Sequence, residues 1–228
     1  LQRAARASRD RGWAMTTHVA DSELEHEMFM HRRGEMFRWL MRNERDMTDC
    51  GRVSPVQHLH HNGALGPHLM AIHVNYLGRG DSALLAETGT HVVHCPQSHS
   101  YFKHRAFPYQ ALNRAGVNIC LGTDSLASTP HSRRKPAQLS MFAEMREFAK
   151  RHPRIGPATI LRMTTRNGAA ALGRTGQLGE LTPGAESDLV AIPFSGTLRA
   201  ATHAAVRFDG DVAASMIQGR WVVEPGTE

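Results

Sequence analysis

The feature that most constrains the fold is a fourfold alternation of short apolar runs with segments of helical spacing. The apolar runs are WAMTTHV, LMAIHV, HVVHC and VNICLGTD, and a stretch with apolar residues at i, i+3 and i+4 spacing follows each of them. Such an alternation is typical of βα units, in which helices cover the faces of a parallel sheet. The sequence therefore predicts an α/β fold.

The helical segments differ in length and in the signals at their ends. Apolar residues recur with helical spacing from Leu24 to Met41, which predicts one long helix. A second segment, IGPATILRMTTRNGAAALG, predicts another single helix with Pro157 near its first turn. The segment FPYQALNRAG predicts a helix that ends at Gly116.

Side chains that can bind a metal stand at the ends of the predicted strands. His18 ends the first strand, His73 the second and Asp124 the fourth, while His94 is close to the same position on the third. In parallel α/β folds, ligands gather at the carboxyl ends of the strands. Neutral imidazole and ionised carboxylate groups bind Zn²⁺ and similar cations, which turn water into a nucleophile. A lone Asp at a strand end is also typical of a helix N-cap, but the matching histidines favour a metal site.

Composition argues against several other classes of protein. The 228-residue chain has a net charge of +6, but its 27 basic residues are scattered and aromatic residues make up only 6%. A nucleic-acid surface gathers basic residues on one face and adds stacking aromatics. No apolar run approaches the roughly 20 residues of a membrane helix. The three cysteines have no CxxC spacing, which favours a reducing, cytoplasmic setting.

The composition changes near residue 176. We expect residues 1–175 to form the βα part of the chain. Beyond it, GQLGELTPGAESDLVAIPF and VRFDGDVAASMIQGRWVV are short apolar runs punctuated by Gly and Pro. These runs predict a small β unit over residues 176–228.

Four motifs carry a resemblance to a known family. In order, THVADSELE, AIHVNYL, VVHCPQSHSYF and LGTDSLAS resemble the amidohydrolase superfamily, especially its cytosine, adenosine and S-adenosylhomocysteine deaminase and chlorohydrolase group. The tail TRNGAAALG…GQLGELTPGAESDLVAI resembles the same group, in which a small β-sandwich follows a TIM (β/α)8 barrel. The resemblance implies a metal-dependent hydrolase with one divalent ion, Zn²⁺ or alternatively Fe²⁺. It also implies a small-molecule substrate and a homo-oligomer for the full-length protein.

The resemblance implies a role for each matched residue. His18 is the metal ligand ending barrel strand five, and Asp124, ending strand eight, binds the metal and accepts the proton of the attacking water. His73, ending strand six, lies beside that water and the substrate. Asp21 stands where deaminases of the group carry a Glu that shuttles a proton to the ring nitrogen, so it is assigned to catalysis and substrate binding. His99 falls where many members carry Asn and is assigned to the substrate pocket, with a surface or loop position as the alternative.

The family's other ligands form a His-x-His pair at the end of strand one, and no such pair follows an apolar strand here. The spacing recurs at His58 and His60, but the surrounding pattern predicts a helix or turn, on which residues two apart point in different directions. A complete barrel has eight strands in about 250 residues, so we expect strands five to eight and part of the sandwich. Because His18 and Asp124 are fewer ligands than a Zn²⁺ site ordinarily has, we expect the isolated chain to be inactive.

Two further groups of charged residues need an interpretation. Glu23 and Glu25 are expected at the exposed start of the helix after the first strand. Arg133, Arg134 and Lys135 lie in a stretch longer than a usual βα loop. They are a candidate contact for an anionic group of the substrate, with a solvated basic loop as the alternative.

The interpretation that combines these features is removal of an amino group from a purine-like or other heterocycle by metal-activated water. Asp21 is one methylene shorter than the usual Glu, which keeps amide or halide hydrolysis on the same scaffold as an alternative. A non-catalytic fragment is an alternative of a different class, and a basic RNA-binding module is a remote third.

Overall fold

The computed structural model describes residues 1–130 and 137–226. These residues divide into two compact units. The first unit comprises Leu1–His94 and Phe102–Ile119, and the second comprises Cys95–Tyr101 and the described residues from Cys120 onward.

A parallel sheet forms the centre of the first unit. Its strands are, in spatial order, β1 (Met15–Val19), β2 (Leu69–His73), β3 (His91–His94) and β4 (Ile119–Leu121). The pairs β1–β2 and β2–β3 are parallel, with Val19 opposite His73. The chain passes from the first unit into the second within β4. The predicted α/β fold with a parallel sheet is confirmed, and each strand lies on one of the four apolar runs.

Helices follow the strands, as the alternation predicts. They are α1 (Gln2–Arg11), α2 (Glu23–His31), α3 (Glu35–Arg42), α4 (Pro55–His61), α5 (Asp81–Glu87), α6 (Pro96–Tyr101), α7 (Tyr109–Ala115), α8 (Met141–Arg151), α9 (Pro157–Thr164), α10 (Arg166–Ala171) and α11 (Leu198–Arg207). Gly116 ends α7 with a left-handed φ of 85°, as expected. Across residues 1–130 and 137–226, no helix has both the length and the apolar character that a bilayer span requires.

The single helix predicted between residues 24 and 41 is wrong, because the segment forms α2 and α3. Arg32 ends α2 in the left-handed region with a φ of 53°, and its N–H bonds to the carbonyl of Met28. Gly34 then precedes α3 with a φ of 96°, which glycine adopts at little cost. Met28 and Phe37 are buried in one apolar cluster, so the bend lets both helices share a core.

The second long helix is also interrupted. The chain forms α9 and α10, which meet at Thr165 with a φ of −123° and a ψ of −94°. Pro157 occupies the first turn of α9, as predicted. Gly179 lies against this break, since a Cβ there would stand 2.6 Å from the carbonyl carbon of Thr165.

A second sheet lies in the C-terminal part of the second unit. Its antiparallel strands are β5 (Leu189–Ala191), β6 (Ala214–Ile217) and β7 (Arg220–Val223), in that order. This sheet agrees with the β runs predicted beyond residue 176. The helix α11 between β5 and β6 was not predicted. It is rich in alanine, which favours helix, and it packs against α8 and α9.

Candidate active site

Two histidines meet at the carboxyl ends of adjacent strands in the first unit. His18 lies near the end of β1 and His73 ends β2, with Val19 paired to His73 in the register. Their ring centroids are 5.1 Å apart. His18 is exposed, whereas His73 is buried. The predicted convergence of these two side chains at one edge of the sheet is therefore present.

The chain after β2 follows an unusual backbone path. His73 and Val74 have φ values of 75° and 50°, in the left-handed region that β-branched residues strongly disfavour. Backbone hydrogen bonds hold this turn to the end of β1, from Val74 N to the carbonyl of Val19 and from Asn75 N to the carbonyl of Ala20. Strain of this kind persists where the surrounding structure fixes it, and it clusters at functional sites.

The carboxylate of Asp21 lies beside His73. Its Oδ1 is 3.7 Å from Nδ1 of His73 and 3.5 Å from Nε2 of His104. Asn75 donates from Nδ2 to the same oxygen at 3.2 Å and to the main-chain carbonyl of Asp21 at 2.9 Å. The structure thus places Asp21 next to His73, a contact that was not predicted from sequence. Asn75 and His104 were not assigned to the site from sequence, although Asn75 directly follows the strand-end segment AIHV.

Glu25 anchors the loop that carries Asp21. Its two carboxylate oxygens accept hydrogen bonds from the N–H groups of Ala20 and Asp21, at 2.9 and 2.8 Å. Burial raises the pKa of Glu25, and the two backbone bonds oppose that shift. The expectation that Glu25 lies exposed at the helix start is wrong, because its side chain folds back over the loop. Glu23 is exposed, as expected, and pairs with Arg105.

Asp124 belongs to the second unit, where two hydroxyl groups hold it. Oδ2 of Asp124 accepts hydrogen bonds from Oγ of Ser98 at 2.6 Å and from Oγ of Ser128 at 2.9 Å. Asp124 itself has a left-handed φ of 54°. Both serines are buried, and both were missed from sequence. Their bonds fix the orientation of the carboxylate.

The helix α6 is anchored by a buried acid. Glu144 accepts hydrogen bonds from the main-chain N–H and the side-chain amide of Gln97, at 2.9 and 2.8 Å. Burial raises the pKa of Glu144 to about 7, and the bonds from Gln97 oppose that shift. His99, on the same helix, is only 1% exposed. The surface position considered for His99 is therefore wrong.

The other sequence candidates fall into structural positions. His94 is buried, and its ring stacks on that of Phe107 with centroids 3.7 Å apart. His58 and His60 lie on α4, as expected, so the His-x-His spacing there is helical. The basic residues at 133–135 lie outside the described residues.

Comparisons with known proteins agree with these motifs. The model of the amidohydrolase family matches residues 1–222. A 5-methylthioadenosine/S-adenosylhomocysteine deaminase from Syntrophobacter fumaroxidans is 38% identical over 194 residues, covering 79% of this chain and 42% of the relative. A zinc-bound adenosine deaminase from Xanthomonas campestris superposes with a TM-score of 0.77 at 25% identity, covering 96% of this chain and 47% of that one.

A further solved structure shows the fold. Aminofutalosine deaminase from Helicobacter pylori superposes with a TM-score of 0.83 at 19% identity. The match covers 97% of this chain and 55% of that protein. The chain thus spans about half the length of these solved structures, and less than half of the curated relative from S. fumaroxidans.

Proposed function

Because the chain belongs to the amidohydrolase family, we propose that its protein removes an amino group from a purine-like heterocycle by metal-dependent hydrolysis. The single observation that carries the proposal is the carboxylate of Asp21 beside the buried His73, three residues after His18. The name of the S. fumaroxidans relative, a 5-methylthioadenosine/S-adenosylhomocysteine deaminase, supports the substrate class.

The proposed architecture follows from the same family. We assign β1–β4 to strands five to eight of a (β/α)8 barrel over residues 1–175, and β5–β7 to part of a small β-sandwich over residues 176–228. High TM-scores against proteins about twice as long support this assignment. A cytoplasmic setting, a homo-oligomeric full-length protein and the absence of nucleic-acid and membrane partners remain predictions.

The donor chemistry fits one divalent cation, Zn²⁺ or alternatively Fe²⁺. His18 presents an exposed imidazole, and Asp124 presents a carboxylate whose Oδ2 is oriented by Ser98 and Ser128. Hydrogen-bonded carboxylates of this kind are typical of metal ligands. We therefore assign His18 and Asp124 as ligands. A bound ion of this class supplies a water that loses its proton near neutral pH.

The remaining roles follow from what each side chain can hold or move. Asp124 accepts the proton of the attacking water. His73, buried and close to Asp21, orients the water and the substrate. Asp21 carries a proton to the ring nitrogen of the heterocycle, and His99 lines the substrate pocket.

A second candidate reaction rests on the identity of residue 21. Asp21 is one methylene shorter than the Glu found in deaminases of the group, so its carboxylate reaches less far. An amide has no ring nitrogen to protonate, and a halide departs as an anion without taking up a proton. The same scaffold could therefore carry that reaction.

Ammonia release tests the proposal. We expect the isolated chain to be inactive, because two ligands are fewer than a Zn²⁺ site ordinarily has, so the assay uses the full-length protein with saturating Zn²⁺. With 5-methylthioadenosine and S-adenosylhomocysteine we expect ammonia release that Asp21→Asn abolishes while Zn²⁺ binding is unchanged. His18→Ala and Asp124→Ala lose Zn²⁺ and activity together, whereas the exposed control His61→Ala keeps both. Cleavage of amide or halide substrates without ammonia from nucleosides would favour the second candidate.

A further inference from the structure

Three side chains of the first unit converge on a single oxygen of Asp21. Asn75 Nδ2 lies 3.2 Å from Oδ1, His104 Nε2 lies 3.5 Å from it, and His73 Nδ1 lies 3.7 Å from it. His73 and Asn75 come from the end of β2, whereas His104 comes from the loop between α6 and α7. The Asn75 contact is a hydrogen bond, and the two histidine nitrogens lie within ion-pair distance of the same oxygen.

The ring of His104 also contacts Tyr76. The hydroxyl of Tyr76 lies 3.5 Å from Nδ1 of His104, and the two rings meet edge to face with centroids 5.9 Å apart. A hydroxyl that donates to Nδ1 leaves the proton of a neutral imidazole on Nε2. That nitrogen is the one that faces Asp21. With Tyr76 as the donor, a neutral His104 carries its proton on Nε2, which lies within ion-pair distance of Asp21 at 3.5 Å.

We propose that His104 is a positioning residue for Asp21, holding Oδ1 so that Oδ2 is presented to the ring nitrogen of the heterocycle. This inference rests on the proposed function. Nothing in the sequence motifs assigns a role to His104, which lies 83 positions after Asp21.

The shorter side chain of Asp21 explains why such a residue is needed. A proton shuttle must stay within hydrogen-bond reach of its target atom, and a misplacement of about 1 Å can lower a rate by about 100-fold. Asp21 is about one-third exposed and is therefore open to solvent on one side. The hydrogen bond from Asn75 and the nearby His104 nitrogen both act on Oδ1 and restrict the rotation of the carboxylate, so that Oδ2 keeps a constant position relative to the substrate.

The first arm of the test is the ¹⁵N NMR spectrum of the histidine rings in the full chain. We expect His104 to show the Nε2–H tautomer, and its Nε2 resonance to shift in Asp21→Asn. Tyr76→Phe should instead shift the Nδ1 resonance. A His104 ring in the Nδ1–H tautomer, or one that does not respond to Asp21→Asn, would overturn the proposal. This arm needs no activity.

The second arm compares His104→Gln with His104→Leu in the full-length protein, in Zn²⁺-saturated ammonia-release assays with 5-methylthioadenosine. Gln can place its amide nitrogen where Nε2 stands, so we expect it to keep most of kcat, whereas Leu lowers kcat by about 10- to 100-fold with little change in KM. An equal fall in kcat in both variants, or a rise in KM without a change in kcat, would contradict the positioning role. His61→Leu, on the exposed side of α4, serves as the control.

The two arms separate the inference from the proposed function. If the wild-type full-length protein releases no ammonia under any condition but the His104 resonance follows Asp21, the deaminase assignment fails and the positioning of the carboxylate stands. If ammonia is released and both His104 variants match the wild type, the positioning role fails and the deaminase assignment stands.

Discussion

The buried hydroxyl of Ser98 donates a 2.6 Å hydrogen bond to the same carboxylate oxygen of Asp124 that accepts from Ser128. Ser98 lies on α6. Glu144 holds this helix by accepting hydrogen bonds from the main-chain N–H and the side-chain amide of Gln97. The orientation of one proposed ligand thus depends on a chain of contacts in the second unit that extends to a buried acid of α8.

Ser98→Ala should weaken Zn²⁺ binding without unfolding the chain. Loss of a hydrogen bond that orients a ligand typically lowers metal affinity about 10-fold or more. The measurement is a competition titration against a chromophoric chelator. Ser100→Ala is the matched control, since Ser100 lies on the same helix but bonds to Glu147. Equal affinities for the wild type and Ser98→Ala would show that this bond does not support the metal.

Glu25→Ala should lower the free energy of unfolding, because it removes the acceptor of two backbone N–H groups in the loop of Asp21. A hydrogen bond to a charged group contributes about 1.5–3 kcal/mol, so we expect a loss of at least about 2 kcal/mol in a urea titration. The matched control is Glu23→Ala, which breaks only an exposed ion pair with Arg105 and should change stability by less than about 1 kcal/mol. Similar losses in the two variants would contradict the anchoring role.

The ends of the strands could be predicted from sequence because the signal there is local. Each apolar run is short and carries His or Asp at or near its end, which predicts that His18 and His73 lie at one edge of the sheet. No local pattern predicts that His104 reaches Asp21, since tertiary packing alone brings the α6–α7 loop to β2.

Backbone conformation explains why the two long helices predicted from sequence are interrupted. The helical spacing continues through Arg32, and only the tertiary structure places this non-glycine residue in the left-handed region. Thr165 likewise interrupts α9 and α10 without a proline or glycine at the break. The segment LRAATHAAVR of α11 has alanine-rich helical spacing, a local signal for a helix inside the predicted β unit.

The contribution of Glu144 to the free energy of unfolding should fall as pH rises toward neutrality. Burial raises the pKa of Glu144 from 4.5 to about 7, so the folded chain binds the proton more tightly than the unfolded chain. Its contribution is fully present below about pH 4.5 and is lost as pH rises through about 7. At about 1.36 kcal/mol per pKa unit, the loss is about 3 kcal/mol.

The measurement is guanidinium unfolding of the wild type and Glu144→Gln at pH values from 5 to 8. Burial lowers the pKa values of His91 and His152, which gives those groups the opposite slope. They are present in both proteins, so the difference between the two curves isolates Glu144. We expect the difference in the free energy of unfolding between the wild type and Glu144→Gln to fall as pH rises. Parallel curves would mean that Glu144 titrates in its ordinary range.

The final prediction concerns the contact between Gly179 and the break at Thr165. Gly179 and Gly176 have nearly identical left-handed φ values of 77° and 76°, but only Gly179 lacks room for a side chain. A Cβ at Gly179 would lie 2.6–2.9 Å from backbone atoms of Thr165 and Arg166, which cannot move aside as a flexible side chain can. A Cβ at Gly176 would meet nothing within 4 Å.

Gly176→Ala should therefore lower the free energy of unfolding only by the cost of an alanine in the left-handed region, about 1–2 kcal/mol. Gly179→Ala should lower the free energy of unfolding by the same conformational cost and by about 1–3 kcal/mol more from overpacking. Urea unfolding of the two variants measures the difference directly, because the conformational term cancels between them. Equal stabilities would mean that the segment around Gly179 moves away from Thr165 freely, and that the break between α9 and α10 does not depend on this contact.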